Sequence, residues 1–212
     1  MRFYDYWRSS AAYRLRIALN LKGLDYEIRS VDLRAGEQRE PGFLGRNPQG
    51  LVPFLEDGEV AQGQSLALIE YLDERHPEPP LLPRTPAARA EARGIALTIA
   101  CDMHPLNNLR VLQYLERELG CDAAARSVWY RHWIARGFEA LEVPLARRGE
   151  RFCVGDAPTI ADVCLVPQMY NARRYDCDVN PYPTLCRIDE AARALDAFAR
   201  ADPQRHPDAT TS

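Results

Sequence analysis

Five prolines fall between positions 77 and 86: Pro77, Pro79, Pro80, Pro83 and Pro86. Proline fixes φ and carries no amide hydrogen, so neither a helix nor a central strand can run through such a stretch. The chain must therefore fold as two parts joined by a stiff connector. Its texture changes across that connector.

Upstream, short β-like runs alternate with helical ones. Arg2 to Trp7 is aromatic-rich and stops at Arg8-Ser9-Ser10, where a serine is available to cap a helix. Ala11 to Leu21 carries apolar residues at helical spacing, and Gly23 closes it. Tyr26 to Leu33 alternates as a strand. Leu51 to Leu55 and Glu59 to Ala61 flank the Asp57-Gly58 turn signal. Ser65 to Arg75 reads as a helix ending before His76-Pro77. The order β-α-β-(α)-β-β-α predicts an α+β, thioredoxin-like domain with a mixed four-stranded sheet.

Downstream, strand signals vanish. Ala87 to Leu119, Ala123 to Leu145, Thr159 to Tyr175 and Thr184 to Arg200 are long Ala/Leu/Arg/Glu-rich helical stretches, and Thr159 with Asp162 forms a capping box. The polar tail after Asp202 is expected to fray. The expected boundaries are 1–78 for the first domain, 79–86 for the linker and 87–212 for an all-helical domain.

With 212 residues, 46% of them hydrophobic and 27% charged, the chain can bury a core, and disorder is not expected. No apolar run reaches the roughly 18 residues of a membrane helix. Met1-Arg2-Phe3-Tyr4-Asp5 lacks the apolar stretch of a signal peptide, so a cytoplasmic location is expected. A net charge of −3 without any basic run argues against nucleic-acid binding. Lys22 is the sole lysine among 27 basic residues. Genomic base composition is the plain reading of that bias, although arginine's planar fork does match carboxylates bidentately. Six cysteines lie outside any Cys-x-x-Cys pair, and free thiols are expected. Cys101 and His104 have a metal-ligand spacing with no second pair, so no metal site is expected.

A thioredoxin-like domain keeps its active group after the first strand, at the start of the first helix. Redox members have cysteines there, whereas this chain has Ser9-Ser10-Ala11-Ala12 and cannot exchange disulfides with its own side chains. A hydroxyl at the positive end of a helix can instead stabilise an external thiolate; the alternative is that Ser9 or Ser10 simply caps the helix. A proline opening the third strand, here Pro53, is often cis in such folds and leaves the preceding backbone open to a peptide ligand, but it also fits an edge strand. Gln64-Ser65 begins a helix whose N-terminus could hold a carboxylate, with Ser65 as a simple cap the alternative.

The run Ser9-Ser10-Ala11-Ala12-Tyr13-Arg14-Leu15-Arg16-Ile17-Ala18-Leu19 resembles the signature of zeta-class glutathione transferases, the maleylacetoacetate and maleylpyruvate isomerases. Asn47-Pro48, Val52-Pro53, the stretch Gln64 to Leu72, Pro105 to Leu109, Val154-Gly155-Asp156, Asp162 to Gln168 and Asn171-Ala172-Arg173-Arg174 match in order, so the resemblance runs from residue 3 to about 198. It implies the two-domain glutathione transferase fold, a homodimer and glutathione as a cofactor that is not consumed. Ser9 or Ser10 would face its thiol, Val52 would pair with its cysteinyl backbone, Gln64 and Ser65 would hold its γ-glutamyl end, and Gln38 would approach its glycyl end. His104, Asn108, Leu109 and Arg110 fall where the helical domain closes over the cofactor. The family often has glutamine at His104, a small polar residue at Arg110 and cysteine at Ala11. These departures leave the chemistry intact, because the nucleophilic sulfur belongs to glutathione.

The implied reaction is cis–trans isomerisation of a conjugated dicarboxylate. Thiolate adds to the alkene, the resulting single bond rotates, and the thiolate leaves. Arg174 would stabilise the enolate. Arg8 and Arg110 are inferred to clamp the substrate's carboxylates, each with a surface salt bridge as its alternative. His104 is expected to contact the cofactor rather than act as a general base. The arginines and the missing cysteine favour maleylpyruvate over maleylacetoacetate. The rival readings are a transferase that consumes glutathione by conjugation and a non-catalytic interaction scaffold. Retention of Ser9, Gln64, Ser65 and Arg174 together argues against the scaffold.

Overall fold

The computed structural model describes residues 1–211; Ser212, the end of the expected helical domain, lies outside them. β1 (Arg2–Asp5) and β2 (Glu27–Ser30) pair in parallel, joined by α1 (Ser10–Leu21). A short α2 (Pro41–Leu44) precedes the hairpin of β3 (Phe54–Asp57) and β4 (Val60–Gly63), and α3 (Ser65–Arg75) follows. The sheet order is β2-β1-β3-β4, mixed as expected, with β3 antiparallel to both of its neighbours. β1, β2 and β3 are shorter than their sequence patterns suggest, whereas β4 runs two residues beyond Ala61. Pairing ends once the chain must bend toward the next element.

One of the buried groups beneath this sheet is the lone lysine. Lys22 donates from Nζ to Asp73 Oδ1, the His76 carbonyl and the Pro79 carbonyl, each at 2.6 Å. Asp73 Oδ1 also accepts from the Leu81 amide. The proline-rich stretch is thus tethered at its start.

The second compact unit, Leu82–Arg193, is helical. It contains α4 (Pro86–Leu97), α5 (Leu109–Arg117), α6 (Ala123–Arg148), α7 (Ile160–Arg174) and α8 (Pro183–Arg193). The stretch 87–119, expected as one helix, is interrupted by a π-turn at Thr98–Met103 and a 3-10 turn at Pro105–Asn107. Pro105 has no amide to continue the ladder, and Asn108 starts a new helix by accepting from the Arg110 amide. The capping box at Thr159 and Asp162 is present. Asp162 accepts from the backbone amides of Cys153 and Thr159 at 2.8 and 2.7 Å; burial nevertheless pushes its carboxyl above the ordinary aspartate range.

The expected boundaries need correction at the C-terminus. Residues from Ala194 onward group with Met1–Leu81 rather than with the helical unit. The helix expected over Thr184–Arg200 breaks, and α9 (Asp196–Ala201) packs on α1, where Asn20 Nδ2 donates to the Ala197 carbonyl at 3.0 Å. Within the described residues the tail, expected to fray, instead forms 3-10 turns at Pro203–Arg205 and Pro207–Thr211. His206 is buried after a 3-10 turn at Pro203–Arg205. Among the described residues, no helix is long and apolar enough to cross a membrane.

Candidate functional site

Strand register brings four loops to one edge of the sheet. Asp5 at the end of β1 faces Ser30 at the end of β2, Tyr4 faces Phe54 at the start of β3, and Phe54 faces Gly63 at the end of β4. The segments continuing from these ends therefore meet: Tyr6–Ser10, Val31–Gln38, Val52–Pro53 and Gln64–Ser65. Tyr6, Val31, Phe43, Val52 and Phe54 form one apolar cluster beneath them. This edge gathers Ser9, Ser10, Gln38, Val52, Gln64 and Ser65, the expected glutathione residues of the first unit.

Ser9 is the N-cap of α1, its Oγ accepting from the Ala12 amide at 3.2 Å, and Ser10 is buried at the first helical position. Capping and a role at the thiol are compatible, since a hydroxyl oxygen that accepts one amide keeps its own hydrogen to donate. Val52 is buried just before the ladder begins, and the Val52–Pro53 peptide bond is cis. Gln38 is buried, and its side-chain carbonyl oxygen has no hydrogen-bond partner. A buried acceptor left in that state costs about 1–3 kcal/mol and marks a place where a ligand donor fits.

Ser65 is not the cap of α3, contrary to its simplest reading. The cap position is Gln64, whose side chain makes no capping bond and whose φ of 67° lies in the left-handed region. A glutamine held there stores strain of order 1–3 kcal/mol, a cost that structures tolerate chiefly at functional positions. Its Nε2 donates to Gln49 Oε1 at 3.0 Å. Ser65 is buried at the first helical position, and its Oγ accepts from Arg14 Nη1 at 3.3 Å. Arg14 therefore supplies a buried positive charge beneath the α3 N-terminus. In the sequence Arg14 is one arginine of the Ser9–Leu19 run, with nothing nearby to mark a partner 51 positions away.

In the helical unit, His104 is half-buried between the π-turn and the 3-10 turn. Asn108 caps α5, and Leu109 and Arg110 follow it, both exposed. Arg174 ends α7 with its guanidinium 5.0 Å from the centre of the Tyr175 ring. Tyr175 stacks on Tyr130 at 3.6 Å, the Tyr130 carbonyl accepts from Asn107 Nδ2 at 3.2 Å, and Trp129 Nε1 donates to the Leu106 carbonyl at 2.9 Å. One stretch of α6 thereby holds both the His104–Arg110 corner and the Arg174 end of α7. The Tyr130 hydroxyl is pushed far above its ordinary range by burial and stays neutral.

Arg8 donates from Nη2 to the Tyr6 hydroxyl at 3.2 Å and lies 4.7 Å from the Trp7 ring centre. Among the described residues, none of Arg8, Arg110 and Arg174 pairs with a carboxylate, unlike Arg16, Arg46 or Arg173. The surface salt bridge that was the alternative for Arg8 and Arg110 is not found among the described residues.

A family model described as Glutathione S-transferase, N-terminal domain, matches residues 3–80. The chain is 53% identical over 208 residues to a probable maleylacetoacetate isomerase of Vibrio cholerae, covering 97% of each. It is 46% identical over 211 residues to a maleylpyruvate isomerase of a Ralstonia species, covering 98% of this chain and 99% of that one. Among solved structures it matches the holo form of a maleylpyruvate isomerase, a bacterial zeta-class glutathione S-transferase, with a TM-score of 0.96 at 46% identity over 98% of this chain and 99% of that chain. A maleylacetoacetate isomerase of Methylobacterium extorquens with bound malonate and GSH matches at TM-score 0.96 and 45% identity over 99% of both chains.

Proposed function

Because the chain belongs to the zeta class of glutathione transferases, alongside maleylpyruvate and maleylacetoacetate isomerases, we propose that it isomerises maleylpyruvate or maleylacetoacetate to the fumaryl form, with glutathione as an unconsumed cofactor. The observation that carries this reading is a helix start without sulfur. Four loops meet around the N-termini of α1 and α3 in an arrangement suited to a peptide-like anion, yet Ser9-Ser10-Ala11-Ala12 supplies no thiol. The nucleophile must arrive with the ligand.

The residues present fit glutathione. Val52 offers backbone groups outside the strand ladder, Gln64 and Ser65 offer a helix N-terminus to a carboxylate, and Gln38 offers its unpartnered buried oxygen to a donor. Bound glutathione supplies a thiolate that adds to the conjugated double bond and leaves after rotation. Ser9, with Ser10 and the α1 N-terminus, holds negative charge at the sulfur position. His104, Asn108 and Leu109 keep the cofactor contacts their motif implies. Arg174 balances the charge that develops on the substrate's carbonyl oxygen. Arg8 and Arg110, without a carboxylate partner among the described residues, take those of the substrate; each such contact contributes about 1.5–3 kcal/mol. The same reading takes the working form to be a cytoplasmic homodimer.

The test is stoichiometric. Either substrate is supplied in large excess over glutathione, and the fumaryl product is followed. Many turnovers per glutathione support the proposal. One-for-one consumption makes the protein a conjugating transferase, and no conversion of either substrate removes the reading.

A further inference from the structure

The end of β1 carries a buried ionic cluster that reaches from the C-terminal segment to the loop bearing Ser9. Asp5 is fully buried, and Arg16 and His206 are nearly so. Arg16 Nη1 meets both Asp5 oxygens at 2.8 Å, Nη2 donates to the Trp7 carbonyl at 2.9 Å, and Nε donates to the Ala201 carbonyl at 3.0 Å. His206 Nε2 lies 3.2 Å from Asp5 Oδ2, and His206 Nδ1 accepts from the Asp208 amide at 3.2 Å. Since Nδ1 accepts, this hydrogen-bond pattern puts the ring proton on Nε2, where it donates to Asp5. Burial pushes the Asp5 carboxyl up, but the Arg16 charge and the hydrogen bonds from His206 and Arg16 hold it below the ordinary range. The cluster is therefore anionic at one point and fully committed.

Trp7 stands two residues before Ser9, and the Ser9 amide closes the same turn onto the Tyr6 carbonyl at 2.8 Å. We propose that His206 is a positioning residue for the thiol site: through Asp5 and Arg16 it fixes the Trp7 carbonyl, and with it the turn that presents the Ser9 hydroxyl. Arg16 has a planar fork with a set direction for each donor, so a carboxylate free to rotate at one end shifts the carbonyl held at the other. The C-terminal segment is then part of the site's scaffold.

This inference rests on the reading of Ser9 as the group facing the thiol, and the experiment separates the two. Bound glutathione is titrated by the ultraviolet absorbance of its thiolate in the wild-type protein and in Ser9→Ala, His206→Ala and His206→Gln. In His206→Ala the thiol titration moves up by about one pH unit and turnover at fixed pH falls roughly tenfold, the loss that a slightly misplaced stabilising group produces. His206→Gln, with an amide able to donate to Asp5, recovers most of both. The double variant Ser9→Ala/His206→Ala titrates like Ser9→Ala alone, because one acts through the other. An unmoved titration in Ser9→Ala overturns the reading of Ser9. A displaced titration in Ser9→Ala with an unmoved one in His206→Ala overturns the role of His206, as do additive effects in the double variant. Should His206→Ala not fold, His206→Phe, which fills the volume without a donor, takes its place under the same criteria.

Discussion

Replacing Lys22 with methionine keeps a long apolar stem and removes only the ammonium. In the wild-type chain that ammonium has no exposed side-chain area and spends all three hydrogens, on Asp73 Oδ1 and the carbonyls of His76 and Pro79. In Lys22→Met, Asp73 retains the Leu81 amide, but both carbonyls lose their donor, and a half-buried carboxylate loses its counter-charge. Breaking a buried pair from one side costs about 3–5 kcal/mol. For a chain of this size each kcal/mol lowers Tm by about 2–4 °C, so a drop of roughly 6–20 °C is expected. The loss is also local, because Lys22 ties His76 and Pro79 to the end of α1. Limited proteolysis of Lys22→Met below its Tm should cut first between Pro77 and Leu81, and the Lys22→Arg variant should fall between the two, since a planar guanidinium cannot aim at three oxygens in a fan. Calorimetry with a Tm within about 2 °C of wild type, or proteolysis that starts elsewhere, would refute the argument.

Three other outcomes follow. A Cβ on Gly137 would lie 1.9 Å from Met103 Sδ and 2.3 Å from its Cγ, so Gly137→Ala should lose about 1–3 kcal/mol by overpacking and raise the glutathione KM through the adjoining His104, with Met103→Ala/Gly137→Ala relieving the clash. Asp5 has its carboxyl held below the ordinary aspartate value of 3.8, so its stabilisation is complete above that pH and is lost as pH falls through the lowered native value. The stability gap between wild type and Asp5→Asn should therefore be widest near neutrality and narrow below pH 3.8, which acid-titrated denaturation curves will show. Arg174→Ala should depress kcat far more than glutathione affinity; unaltered turnover would sink the assignment of Arg174 to the developing charge.

What could be read from the sequence depended on range. The α3 limits, Ser65 and Arg75, were visible because a proline and a hairpin turn bracket them within a few positions. The grouping of Ser9, Val52 and Ser65 was expected from the thioredoxin-like pattern and that of Gln38 from the family resemblance, and the strand order shows the loop ends sharing one sheet edge. The break at Thr98–Met103 was harder to see: the segment holds no glycine or proline, and the π-turn becomes visible only with Met103 seated against Gly137 in α6. Its downstream half did carry signals, Pro105 and the Asn108 cap, which the helical composition outweighed. The Asp5–Arg16–His206 cluster had no local signature. His206 and Asp5 are 201 positions apart, and a histidine in a polar tail looks like solvent-exposed chain until α9 folds back onto α1.

The basic residues then sort by acceptor geometry rather than by abundance. Where three oxygens converge from different directions the chain has its one lysine, and where a carboxylate and two carbonyls lie in a plane it has Arg16. Both are buried and fully used, which bars them from any ligand. Arg8, Arg110 and Arg174 are the reverse, without a carboxylate partner among the described residues and with water able to reach Arg110 and Arg174. An arginine in that state contributes almost nothing to stability, but all of its charge remains available to an incoming anion. If these three bind a dianionic substrate, neutralising any one should raise the substrate KM or lower kcat while leaving Tm within about 1–2 °C of wild type, as surface substitutions do. A stability loss as large as that of Lys22→Met would instead make that arginine part of the scaffold.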